Sequence, residues 1–142
     1  MPMNGYAESA PEALKRFREL TRTIKHYEEL LGVVYWDMRT GAPRNGIEGR
    51  SEAVGTLSAE AFRLSVSDEM GELLERLGEP ETAAELGEID RRLAEEMRKE
   101  YDRNRKLPPD MYREYVVLTS QSESAWEVAK ERNDFAGFVG YL

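Results

Sequence analysis

An all-α fold follows from three features of the sequence. Apolar residues recur at steps of three and four, capping residues stand at the head of those runs, and no strand-like alternation interrupts them. About five to six helices are expected, arranged as antiparallel hairpins joined by short loops. A length of 142 residues fits a single helical domain, with residues 1–9 expected to be poorly ordered.

Ser9-Ala-Pro-Glu12 reads as a capping box with proline allowed in the first turn, so a helix starts there. Its stripe is Leu14, Phe17, Leu20, Ile24, Tyr27, Leu31 and Val34, and it is predicted to reach Trp36. Residues 37–46 carry Gly41, Pro43, Asn45 and Gly46 and read as a structured loop. Ile47, Val54, Leu57, Ala61 and Leu64 predict a second helix over Ile47–Leu64. Ser67, followed by Asp68 and Glu69, is a good N-cap for a short third helix to Leu77. Met70, Leu73, Leu74 and Leu77 are its buried side, and Gly78 and Pro80 stop it. A fourth helix is predicted over Glu81–Arg105, with Leu86, Ile89, Leu93, Met97 and Tyr101 in line. Pro108 and Pro109 end what precedes them. The fifth helix, Asp110–Arg132, places Met111, Tyr115, Leu118, Ser122, Trp126 and Ala129 near one face, and Asn133 closes it in a left-handed conformation. Beyond it, Asp134 heads an apolar run of Phe135, Phe138, Val139, Tyr141 and Leu142. That run reads as a docked terminal turn or as the start of a helix continuing in a longer protein. The second is preferred, because free termini are usually polar.

Charge and composition exclude much chemistry. Lys and Arg number 20 against 28 Asp and Glu, a net charge of −8, so phosphate backbones and anionic membranes are poor partners. The longest apolar run, Leu30–Trp36, is too short to cross a bilayer, and no basic-then-apolar leader opens the chain, so a cytoplasmic protein is expected. Without cysteine there is no disulfide and no thiolate chemistry. With His26 as the single histidine, neither HExxH nor paired Glu-x-x-His can be built within one copy, and no Gly-x-Ser-x-Gly elbow is present. No catalytic or metal-ligating residue is therefore assigned.

Several lesser patterns have ordinary explanations. His26 and Glu29 stand at i and i+3 and could share a metal only between two copies; a surface pairing of His26 with Glu28 or Glu29 is the better reading. Arg50-Ser51 lacks the lysine and the glycine spacing of a phosphate loop. Glu95, Glu96 and Glu100 among Arg91, Arg92, Arg98, Lys99 and Arg103 make a solvated helix face. Tyr112, Tyr115 and Trp126 could form a recognition stripe, but helical spacing favours core packing.

The informative stretch is Tyr35 to Glu52, a helix end, a tight corner and a helix start. Asp37 and Thr40 are available as caps there, and Asp37 or Glu52 is expected to pair with Arg50 or to cap the corner. Trp36-Asp37, Thr40, Pro43, Gly46 and Arg50-Ser51-Glu52 together resemble the N-terminal signature of the thermostable metallocarboxypeptidases, the carboxypeptidase Taq family. The likeness continues in Leu57-Ser58, Lys106-Leu107-Pro108, Ser122 to Trp126, and Asn133-Asp134-Phe135 with Phe138, Tyr141 and Leu142.

The resemblance implies an N-terminal lid or cleft wall of a larger, all-helical, homodimeric enzyme that uses zinc or cobalt to release C-terminal residues from peptides. The family's HExxH helix and later glutamate ligand have no counterpart among these residues, so the 142-residue chain is expected to be an inactive fragment. Trp36, Asp37, Thr40, Pro43, Gly46, Arg50, Glu52 and Trp126 are the expected structural signature residues. A stand-alone helical interaction module without enzymatic activity is the alternative.

Overall fold

The computed structural model describes residues 9–142; the expectation of poor order over residues 1–9 lies outside them except at Ser9, which is hydrogen-bonded to Glu12. Six helices follow one another among the described residues: α1 (Ala10–Thr40), α2 (Ile47–Ser65), α3 (Asp68–Leu77), α4 (Pro80–Glu85), α5 (Glu88–Asn104) and α6 (Pro109–Arg132). Single 3-10 turns occupy Arg44–Gly46 and Val139–Tyr141. The chain is all-α, and no helix is long and apolar enough to cross a membrane among the described residues.

The helices group into two compact units. The first is drawn from the start of α1, to Ile24, and from Leu64–Lys106; the second from Lys25–Arg63 and Leu107–Leu142. The first unit has a conventional core: Ala13, Phe17, Leu20 and Ile24 of α1 meet Met70, Leu73, Leu74 and Leu77 of α3 and Ala94 of α5. Each large side chain buried there contributes about 1.5–3 kcal/mol relative to exposure. The Ser67 cap is the one the sequence predicts, whereas at Ser9 the return half of the capping box forms and the hydroxyl donates to Glu12. Glu12 accepts from the Ser9 amide at 3.1 Å and from the Ser9 hydroxyl at 2.8 Å, and the Ser67 hydroxyl accepts from the Met70 amide at 3.2 Å. The Arg18 guanidinium grips Asp90 at 2.9 and 2.5 Å and holds that carboxyl below its ordinary value.

The second unit packs differently. Ser51, Val54, Gly55, Ser58, Ala61 and Phe62 form the buried face of α2, and Val116, Ser120 and Ala129 that of α6. A Cβ on Gly55 would collide with the Val117 side chain, so the glycine is what lets the two helices approach. Two buried hydroxyls, Ser51 and Ser120, satisfy each other at 3.0 Å, and Phe62 stacks on Tyr112 with ring centroids 4.2 Å apart.

Three expectations are corrected. The loop predicted over residues 37–46 begins only at Gly41, because nothing from Asp37 to Thr40 breaks a helix and α1 runs on through them. The fourth predicted helix is two: Leu86 and Gly87 are extended, which turns Leu86 onto the first unit's core, and Gly87 then heads α5. In consequence α5 faces that core through Ala94, Met97 and Tyr101, while Ile89 and Leu93 are exposed. On α6 the expected inner face is buried only at Ala129, and its large side chains lie outside. Met111, Tyr115, Leu118 and Trp126 are exposed, because the close approach of α2 selects the side carrying Val116 and Ser120. Asn133 does adopt the left-handed conformation, at φ 52°, and Asp134 accepts from the Gly137 amide at 3.0 Å.

Candidate functional site

The last turn of α1 leaves carbonyls without helical partners, and the corner that follows is built by satisfying them. The Asp37 carbonyl accepts from the amides of Gly41 and Ala42 at 2.9 and 2.8 Å, and the Thr40 hydroxyl donates to the Trp36 carbonyl at 2.7 Å. Pro43, at φ −64°, opens the 3-10 turn, whose Gly46 amide returns to the Pro43 carbonyl at 2.8 Å.

Arg50, in the first turns of α2, closes the corner. Its Nε donates to the Asp37 carboxylate, and its Nη1 reaches the Gly46 carbonyl at 3.3 Å. A Cβ at Gly46 would occupy the place of Nη1, so this position must lack a side chain for the guanidinium to lie there. Of the two carboxylates proposed for Arg50, the structure selects Asp37. Glu52 instead accepts from Arg113 Nη2 of α6 at 2.7 Å.

A second arginine works from the same turn of α1. Arg39 donates to Glu123 at 2.9 Å and to Glu127 at 2.5 Å, two carboxylates one helical turn apart on α6. Tyr35 lies close enough that burial first, and the Glu123 charge second, push its hydroxyl above the ordinary value. On α6 the Lys130 ammonium sits 4.7 Å from the centre of the Trp126 ring. Trp36 is 72% exposed and belongs to the corner through its carbonyl rather than its ring.

Six of the eight signature residues, Trp36, Asp37, Thr40, Pro43, Gly46 and Arg50, thus meet in one corner, while Glu52 and Trp126 are engaged elsewhere in the same unit. Arg39 and Arg113 were not singled out from the sequence; their partners stand 61 to 88 residues away, beyond any local signal. The pattern of small residues Ser51 and Gly55, one turn apart, was the available sign of a close helix approach.

Chemically the corner is a clasp. Asp37 is paired with Arg50 and Glu52 with Arg113, so both carboxylates serve to tie helices together. Among the described residues no three His, Cys, Asp or Glu side chains converge to hold a metal ion, and His26 lies exposed on α1. Glu28, one of its expected partners, accepts from Lys25 at 3.1 Å.

Comparison with known proteins adds what the geometry does not. The model of the carboxypeptidase Taq (M32) metallopeptidases matches residues 16–142. Carboxypeptidase 1 of Bacillus subtilis is 44% identical over 128 residues, which are 90% of this chain and 25% of that protein. Thermostable carboxypeptidase 1 of Pyrococcus furiosus is 31% identical over 135 residues, 95% of this chain and 26% of that one. A solved structure, the BsuCP crystal structure, superposes with a TM-score of 0.86 at 43% identity over 91% of this chain and 26% of its own. The chain therefore spans about a quarter of the length of the curated relatives it matches.

Proposed function

Because the chain belongs to the carboxypeptidase Taq (M32) metallopeptidase family, we propose that it is the N-terminal helical portion of a metallocarboxypeptidase. In this reading it forms a lid or wall beside the cleft of an enzyme that releases C-terminal residues from peptides. The family match over residues 16–142, on a chain a quarter as long as its relatives, carries this reading. Metallopeptidase membership calls for a divalent metal, zinc or cobalt, and the described residues do not fit one, since no ligand cluster forms among them. On its own the chain is inactive, and its contribution is shape: Asp37, Gly46 and Arg50 lock the corner between α1 and α2, and Trp36, Thr40, Pro43, Glu52 and Trp126 complete a structural signature rather than a catalytic one. The whole enzyme is read as a cytoplasmic homodimer.

The test pairs two assays of C-terminal residue release from N-blocked dipeptides in the presence of zinc or cobalt. One uses the 142-residue chain. The other uses a full-length chimera in which this chain replaces the matched quarter of Bacillus subtilis carboxypeptidase 1. No turnover by the chain and clear turnover by the chimera are expected. Turnover by the chain alone, or a well-folded but inert chimera, overturns the reading.

A further inference from the structure

Helix α6 is apolar on two opposite sides. One side, Val116 and Ser120, is buried in the second unit against α2. The other presents Met111, Tyr115, Leu118 and Trp126, which are 56%, 62%, 51% and 47% exposed. These four follow one another at steps of four, three and eight residues, with the small Ser122 between the last two, so they form one continuous line along the helix. Single exposed apolar residues are ordinary on a protein surface, whereas a line of four large ones marks a contact. At its C-terminal end the line runs into an open pocket lined by Trp126, Ala129, Lys130 and the aromatic rings of Phe135 and Phe138.

We infer that this outer face of α6 is an interior helix–helix contact, on which an apolar helix from the catalytic three-quarters of an M32 chain is seated. The inference rests on the proposed function above and specifies the surface through which it is exercised. Two observations select the occupant. Relatives carry about three times as much chain outside the matched quarter as within it, chain enough to supply a helix that covers this line. A second copy of this chain is disfavoured by charge: each brings −8, and Glu114 stands exposed on the same helix beside the line. The fitting partner is an apolar helix edged by Lys or Arg.

The experiment places Tyr115→Glu and Leu118→Glu together in the isolated 142-residue chain and in the full-length chimera, and reads the thermal unfolding midpoint of each. In the isolated chain both positions face solvent, and a change within about 2 °C is expected. In the chimera the charges would be buried without partners, and the midpoint should fall by about 10 °C or more, or folding should fail. Equal small changes in both proteins overturn the inference. It is also overturned if the isolated chain sediments as a dimer that the double substitution dissociates, which would identify the occupant as a second copy. A chimera that folds but lacks peptidase activity refutes the proposed function while leaving the stability contrast readable. Should the unsubstituted chimera not fold, the same two substitutions are made at the aligned positions of full-length Bacillus subtilis carboxypeptidase 1. The same loss is then expected, and its absence is again decisive.

Discussion

The two units of the chain are held together by different means. The first buries Phe17, Leu20, Ile24, Met70, Leu73, Leu74 and Leu77 in one cluster and leaves only Ile89 and Leu93 among its described large apolar residues well exposed. The second closes on serines, a glycine and one stacked aromatic pair, clasped by Arg39, Arg50 and Arg113. Val54, Phe62 and Val116 are buried there, but many of its large apolar residues lie outside: Leu30, Val33, Trp36, Met111, Tyr115, Leu118, Trp126, Phe135 and Leu142 are all exposed. Apolar surface is the main source of folding free energy. The first unit has used its share internally, whereas much of that of the second is still available for association.

Removing a core side chain from the first unit should have the largest effect. Phe17→Ala is expected to cost about 3–5 kcal/mol in denaturant unfolding, against a change within about 0.5 kcal/mol for Leu118→Ala in the second. Similar costs for the two would break the contrast. Next comes the close approach of α2 and α6: Gly55→Leu forces a side chain into the space of Val117 and should destabilise by about 1–3 kcal/mol, whereas Gly49→Leu, with open space around it, should not. Smaller still is the corner clasp. Asp37 and Arg50 are both partly exposed, so Asp37→Ala is expected to cost about 0.5–1 kcal/mol, and adding salt should shrink the difference from the parent chain.

The smallest effect concerns pH. Hydrogen bonds from Arg18 hold the Asp90 carboxyl below its ordinary value of 3.8. A depressed folded-state value means that the stabilisation is complete above 3.8 and is lost as pH falls below it. Asp90→Asn should therefore narrow the stability difference between neutral and acid solution as followed by helical circular dichroism; an unchanged acid limb would show the pair to be energetically silent.

How far the sequence could be read tracks the same division. In the first unit, α3 was legible to the residue, because Ser67 is an unambiguous cap and Met70, Leu73, Leu74 and Leu77 offer one apolar face and no rival. The break at Leu86 and Gly87 was missed, since the apolar spacing runs unbroken across it and only the pull of Leu86 into the core decides. In the second unit α6 has two candidate faces, and periodicity favours the larger side chains. The choice went to the smaller ones because Gly55 permits the closer approach. At the corner, the Asp37–Arg50 pair was foreseeable from two opposite charges flanking a short turn. The Arg39 fork and the Arg113 pair were not, because they depend on where α6 lies.

The chain has two tryptophans, and both belong to the second unit. Trp36 stands in solvent, and Trp126 is about half exposed beneath the Lys130 ammonium. Selectively excited tryptophan fluorescence therefore observes one unit and is blind to the other. Emission should already be red-shifted in the folded chain and change little on unfolding. It should move to the blue when a partner covers α6, which makes Trp126 a built-in optical reporter of docking.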